Sequence, residues 1–457
     1  MRSADELLED YEAWTPRSKR WMASARECLP GGDTRASAHF APYPVVMERG
    51  KGCRLVDVDG HEYVDLMNNF TSLIHGHAHA PVVEAVAEQV ARGTAYAAPV
   101  ESQLGLARLL RDRLRGVDLI RFASSGSEAT LMTLRAARAF TGRQMIVKVE
   151  GGYHGSYDHA EVSMIPLPHE AGPADRPRPI PLDASIASSA VGDVIPIPFN
   201  DAAVARARIA ERGDEIAAVI VEPILGALGM LPGEPEFLRA LREAADAVGA
   251  LLVFDEVIAL RLGVGGAQDR VDVQPDLIAM GKIIGGGLPI GAFGGRGDVM
   301  ERFDPSRQGG IWHASTFSGN PLSMAAGLAA MGDVTSESLA RIDALGERLR
   351  TGIADAFRHA GIRGRATGLG SLAQIHWADA LPRNAREALA GIMAAGPAAQ
   401  WLHLSLLRRG VYLSPRGMCC ISTPMGTAEI DFALAALGDA LDALRPLLER
   451  ELPALLR

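Results

Sequence analysis

The chain has 457 residues, 22% charged and 48% hydrophobic, with a formal net charge of −9. That composition describes an ordinary globular chain with ample core, and an acidic balance without a basic patch or run argues against a nucleic-acid-binding face. The acidic start, MRSADELLEDYEAW, shows no signal-peptide pattern, and no segment reaches the roughly 18 apolar residues that span a bilayer. The four cysteines Cys28, Cys53, Cys419 and Cys420 have neither a CxxC pair nor metal-ligand spacing, so a reduced, cytoplasmic protein is expected.

In chain order, residues 1–30 read as one or two amphipathic helices closing at Pro30-Gly31-Gly32, and GGDTRASAHF as a glycine-led loop carrying Arg35. The alternation from Tyr43 to Leu66 around Asp59-Gly60 predicts a hairpin. VVEAVAEQVARG (82–93) has helical spacing with Gly93 as its stop. RFASSGSEATLMTLRAARAF (121–140) reads as strand, tight turn and helix, with Ser124, Ser125, Gly126 and Ser127 in the turn. MIVKV (145–149) is a further strand leading into GGYHGS. Residues 160–200 hold eight prolines and predict a long irregular excursion, uncommon in a compact fold and therefore functional or disordered. AAVIVEP and LLVFD read as buried strands around the helix PEFLRALREAADAV, and Pro321 stands near the start of a helix after HASTFSGN. After about residue 335 helices dominate, broken by two strand-bearing segments, 361–377 and 410–423.

Chemistry concentrates between Leu251 and Ile290. An apolar strand ends in Asp255 and Glu256, and Lys282 follows in a run leading to Gly285-Gly286-Gly287. The chain has 46 basic residues but only four lysines, Lys19, Lys51, Lys148 and Lys282, and Lys282 alone sits amid apolar residues and glycines. Burial can lower a lysine pKa enough to free the amine for Schiff-base chemistry, which arginine cannot perform. The alternative is a lysine snorkelling from a strand end. Ser125-Gly126-Ser127, between strand and helix, suits an anion at the helix's positive end, although a serine N-cap has the same appearance. Asp255 is either a helix cap or the partner of a cationic ring nitrogen. Tyr153 is either ordinary packing or an aromatic face against a flat ligand. A phosphate cradle, a buried carboxylate, an aromatic plate and a Schiff-base lysine are together what pyridoxal 5′-phosphate requires.

SSGSEA, GGYHG, VEP, FDEV, GKIIGGGLPIGAFGG and HASTFSGNP, in that order, resemble the signatures of class III pyridoxal-phosphate-dependent aminotransferases of fold type I, over about residues 30 to 335. The resemblance implies an α/β fold with a mostly parallel seven-stranded sheet in a large domain (76–335). A smaller α+β domain would be built from residues 1–75 and 336–457. It implies Lys282 as the Schiff-base lysine, Asp255 on the pyridinium nitrogen, Ser125, Gly126 and Ser127 on the phosphate, Tyr153 stacked on the ring and Val257 on its other face. Thr316 resembles the threonine that reaches the phosphate across a dimer interface, which implies a homodimer with shared active sites. Glu222 matches as well, as a substrate-binding or structural residue, and His154 matches beside it.

DEVIALRL and GGGLPIGAFGG look most like the branch holding glutamate-1-semialdehyde aminomutases and β-amino-acid aminotransferases. The aminomutases carry GGVNSPVR near the N-terminus and APSxFEAxF near the C-terminus. Here GGDTRASAH and SPRGMCCIS stand instead, placing Arg35 and Arg416 as the β-amino-acid pattern does. Two arginine forks on different loops suit a β-amino acid donor and a 2-oxo acid acceptor such as 2-oxoglutarate or pyruvate. An aminomutase, a racemase or decarboxylase on the same fold, and a catalytically silent relative are the alternatives.

Overall fold

The computed structural model describes residues 3–457; residues 1 and 2, at the head of the predicted helical segment, lie outside the described residues. Seven strands form the central sheet: β1 (Leu119–Ala123), β2 (Met145–Val149), β3 (Val194–Ile197), β4 (Ile216–Val221), β5 (Leu251–Asp255), β6 (Leu277–Gly281) and β7 (Gly291–Gly295). Their order is β1-β7-β6-β5-β4-β2-β3, with only β7 antiparallel to its neighbours. The predicted fold class is thus the one observed.

The sheet is covered on both faces, and the sequence shows why. In β4 and β5 every residue is buried. Because successive side chains alternate, Ala218, Ile220, Leu251 and Val253 join one core with Ala129, Met132 and Leu134 of the helix Gly126–Thr141. Val219, Val221, Leu252 and Phe254 join the other with Phe237, Leu238 and Leu241 of the helix Pro235–Val248. Unbroken apolar strands need this double cover.

The proline-rich excursion is shorter than expected, because Val194–Ile197 is the edge strand β3. Pro196 lies within it, and a proline is tolerated in a sheet at just such an edge. The rest of the excursion packs beside the sheet, tied to the helix Ala385–Ala395 by Arg386, which donates to the carbonyls of Ala171 and Gly172 and grips the buried Glu150 with two nitrogens at 2.9 and 2.8 Å.

The N-terminal helices are Ala4–Trp14 and Pro16–Ala25. The strands Met47–Lys51, Arg54–Asp57 and Glu62–Asp65 form an antiparallel sheet that Val411–Tyr412 extends in parallel. The hairpin around Asp59-Gly60 is present, and a second turn at Gly52-Cys53 adds a strand that the sequence pattern did not separate. Arg365–Thr367, Leu372–His376 and Met418–Cys420 form a further sheet, against which the long helix Ser336–His359 packs. No helix among the described residues is long and apolar enough to cross a membrane.

Candidate active site

The parallel strands deliver their chemistry to one end of the sheet. Ser124–Ser127 follow β1, Gly151–His154 follow β2, Glu222 follows β4, Asp255 closes β5 and Lys282 follows β6. Such strand ends are where open α/β sheets bind ligands. Here they surround a cavity of about 510 Å³. Lys282, Asp255, Glu222, Tyr153 and Val257 all line it, as do Ser125, Gly126, Ser127 and Arg35. Thr316 and Arg416 do not: both are exposed, on loops outside the lining.

Lys282 adopts φ +50°, left-handed backbone that a lysine rarely takes and that costs of order 1–3 kcal/mol. It is half-buried, and it lines the cavity. Burial lowers its pKa, against the opposing pull of Asp255 and Glu222. An amine held this way is a nucleophile nearer neutral pH than a free lysine. Asp255 is 3% exposed; its Oδ2 accepts from His154 Nδ1 at 2.8 Å and its Oδ1 accepts the Val257 N–H at 3.0 Å. His154 is itself buried, and burial depresses its pKa despite the neighbouring carboxylate, which suits a neutral ring donating from Nδ1. Glu222 holds the Tyr153 N–H at 2.7 Å and the Gly226 N–H at 2.8 Å. Burial first, and Asp255 second, push its pKa up.

The turn after β1 answers the choice between cap and cradle in part. Ser125 Oγ accepts the Glu128 N–H at 3.1 Å, so that hydroxyl caps the helix. The first-turn N–H groups of Gly126 and Ser127 have no carbonyl one turn back, and they remain for an anion. Gly126 is needed for space: a Cβ there would meet both Val257 methyls at 3.0 Å. Ser127 Oγ accepts the Ser156 N–H at 3.3 Å. Ser124 Oγ lies 3.2 Å from Ser315 Oγ, which brings the HASTF loop beside this turn while Thr316 faces outward.

Sequence reasoning missed two features. Lys148 lies inside β2 and is only 1% exposed, a burial that its charge gave no sign of; Nζ donates to the Gly152 carbonyl at 2.7 Å, and burial lowers its pKa to about 7. Lys282 is therefore not the one lysine amid apolar residues. The other feature is the run Asn68, Asn69, Phe70 and Thr71, all with positive φ (47°, 47°, 54° and 72°), which makes a left-handed turn costing a non-glycine residue about 1–2 kcal/mol per position. Asn69 and Ser72 line the cavity, and Asn69 Oδ1 accepts from Arg35 at 2.8 Å. The paired asparagines were the available signal, since asparagine enters left-handed backbone more readily than most residues.

The family profile "Aminotransferase class-III" matches residues 36–425. The chain belongs to the class III aminotransferases. Among similar proteins, the β-phenylalanine transaminase of Variovorax paradoxus is 38% identical over 451 residues, 98% of each chain. A glutamate-1-semialdehyde 2,1-aminomutase of Methanothermobacter thermautotrophicus is 36% identical over 432 residues, covering 94% of this chain and all of that one. The crystal structure of an omega-transaminase from Sphaerobacter thermophilus superposes with a TM-score of 0.89 at 42% identity, over 94% of this chain and 98% of that one. Class III aminotransferases depend on pyridoxal 5′-phosphate, and the residues present fit it. A buried carboxylate stands at the cavity floor, a glycine keeps the helix N-terminus open, and an amine points into the same space.

Proposed function

We propose that this aminotransferase moves the amino group of a β-amino acid to a 2-oxo acid such as 2-oxoglutarate or pyruvate, with ping-pong kinetics. The observation that carries the reading is Arg35: its guanidinium lines the same cavity as Lys282, where it can take a substrate carboxylate while the amine is at the lysine. The similarity to a β-phenylalanine transaminase supports it.

When bound, pyridoxal phosphate supplies a conjugated ring that accepts the electron pair left by a broken C–H bond. The chain's residues supply the rest. Asp255, held by His154 and the Val257 amide, would keep a proton on the cofactor's ring nitrogen. Lys282 Nζ would take the proton from the Cβ that bears the substrate amine and hold it for return. Gly126 and Ser127 would receive the phosphate with their amides, Ser125 fixes the turn by capping the helix, and Tyr153 and Val257 would hold the ring between them. Glu222, with both oxygens committed to backbone amides, holds the Tyr153 loop against the substrate pocket. Arg416, exposed and outside the cavity lining, has no part in this arrangement.

We infer that the protein is a homodimer whose partner completes the phosphate site through Thr316. Trp312 and Phe317, on either side of Thr316, are 77% and 59% exposed, as a surface awaiting cover would leave them. Four unpaired cysteines, three of them buried, fit a reducing cytoplasm.

The test is Arg35→Ala. It is expected to raise KM for β-phenylalanine by about 10–100-fold, the loss of a charge-assisted pair, and to leave an arylalkylamine without a carboxylate untouched. An equal effect on both substrates would remove Arg35 from carboxylate recognition. The aminomutase reading, favoured by relatives such as the Methanothermobacter enzyme, requires turnover of a diamino or semialdehyde substrate without any 2-oxo acid.

A further inference from the structure

Arg35 is placed by its neighbours. Its Nη1 donates to Asn69 Oδ1 at 2.8 Å, and its Cζ stands 5.9 Å from the centre of the Phe70 ring. The Asn69 amide cannot turn over without loss, because its Nδ2 donates to Ser72 Oγ at 3.0 Å. Both contacts depend on the left-handed turn, which the phenylalanine and threonine in it would not adopt unaided. Three anchors hold it. Asp65 Oδ1 accepts the Met67 and Asn68 amides, each at 2.9 Å. Asn68 Nδ2 donates to the Cys420 carbonyl at 2.9 Å. Arg261, fully buried, donates to the Thr71 carbonyl at 3.2 Å, to Ser371 Oγ at 3.0 Å and to the Ile421 carbonyl. None of these acceptors is a carboxylate. A buried guanidinium spent on neutral acceptors is costly unless the geometry it fixes is useful.

We propose that Asn69 is a specificity-determining residue: it aims the Arg35 guanidinium at the substrate carboxylate from a locked left-handed turn, and as a neutral acceptor it does so without cancelling the arginine's charge. The proposal rests on the reading of Arg35 given above. Holding one Nη leaves the other nitrogens of the fork for the ligand. An aspartate here would keep the acceptor and tolerate the backbone, but it would pair with Arg35 and compete with the incoming acid.

The experiment measures the dissociation constant of 3-phenylpropionate, a carboxylic acid with no amine, for the holoenzyme by calorimetry. KM and kcat for β-phenylalanine and for an arylalkylamine are measured alongside. Asn69→Ala and Asn69→Asp are both expected to weaken 3-phenylpropionate about five- to tenfold, the scale of one lost aiming hydrogen bond or one competing charge. KM for β-phenylalanine should rise in step, with kcat and the arylalkylamine unchanged. A merely structural role would let Asn69→Asp bind normally, and that result overturns the proposal. So does an unchanged dissociation constant in Asn69→Ala when Arg35→Ala raises it; the β-amino-acid reading then stands alone. If Arg35→Ala leaves 3-phenylpropionate binding unchanged, the carboxylate anchor itself fails and this inference falls with it.

Discussion

Lys148 is buried and Lys282 half-buried, and what separates them chemically is where the amine stands. Lys148 Nζ spends itself on the Gly152 carbonyl, whereas Lys282 opens onto the cavity between Asp255 and Glu222. Lys282→Ala is expected to lower transamination by about 10³-fold or more and to abolish the visible band of the purified enzyme, because no other amine reaches the site. Lys148→Met should keep that band. A band lost in Lys148→Met and kept in Lys282→Ala would reverse the assignment. The sequence could rank these lysines only by their neighbours, and MIVKV gave no sign that the strand buries its charged member. Asp255 was easier to read, because a carboxylate ending LLVFD has only the strand end to occupy. Arg35 was named from its loop, but the asparagine that seats it lies 34 residues away and needed the fold.

At the scale of the element, the helix Gly126–Thr141 trades its own stability for an open N-terminus. Alanine in place of Gly126 would favour the helix by up to about 1 kcal/mol. Its Cβ would also press on both Val257 methyls at 3.0 Å, pushing the side chain assigned to the ring face. Gly126→Ala is therefore expected to shift the apoenzyme's Tm only slightly, the helix gain offset by the pressure on Val257, and to weaken cofactor binding by about tenfold or more. Tight cofactor binding in that variant would show that the cradle lies elsewhere. At the end of β5, burial pushes Glu256 from its ordinary 4.5 up to about 8. The folded chain thus holds a proton there that the unfolded chain has released, and stability falls as pH rises from about 4.5 to about 8. Glu256→Gln should remove that slope, so its Tm should gain on the wild type between pH 5 and pH 9; a constant difference would contradict the burial account. Strands and helices of this region were legible because their apolar runs and caps are local signals. The edge strand β3 was not, since Pro196 and its neighbours hide it inside a proline-rich stretch.

For the whole molecule, the order of strands brings turns that are far apart in sequence to one end of the sheet, and this convergence makes a site from separately ambiguous motifs. Sequence order with the family resemblance was enough to anticipate the seven-stranded sheet. The left-handed turn at Asn68–Thr71 and the anchoring of Arg261 were beyond reach, because they depend on contacts across hundreds of residues. Thr316 belongs to this scale too. If the partner subunit supplies it to the phosphate, Thr316→Ala should weaken cofactor binding only in the assembled dimer, and dilution should release cofactor as the dimer separates. A monomer that holds its cofactor fully would contradict the shared site.

The central claim is amino transfer from β-amino acids, and a half-reaction tests it most directly. Holoenzyme is mixed with one amine and no acceptor, and the visible band of the cofactor is followed. Bleaching by β-phenylalanine, reversed by 2-oxoglutarate or pyruvate, and far faster than by an arylalkylamine at the same concentration, is the predicted result. Bleaching only by diamino or semialdehyde substrates, or a band that no β-amino acid bleaches, would contradict the account.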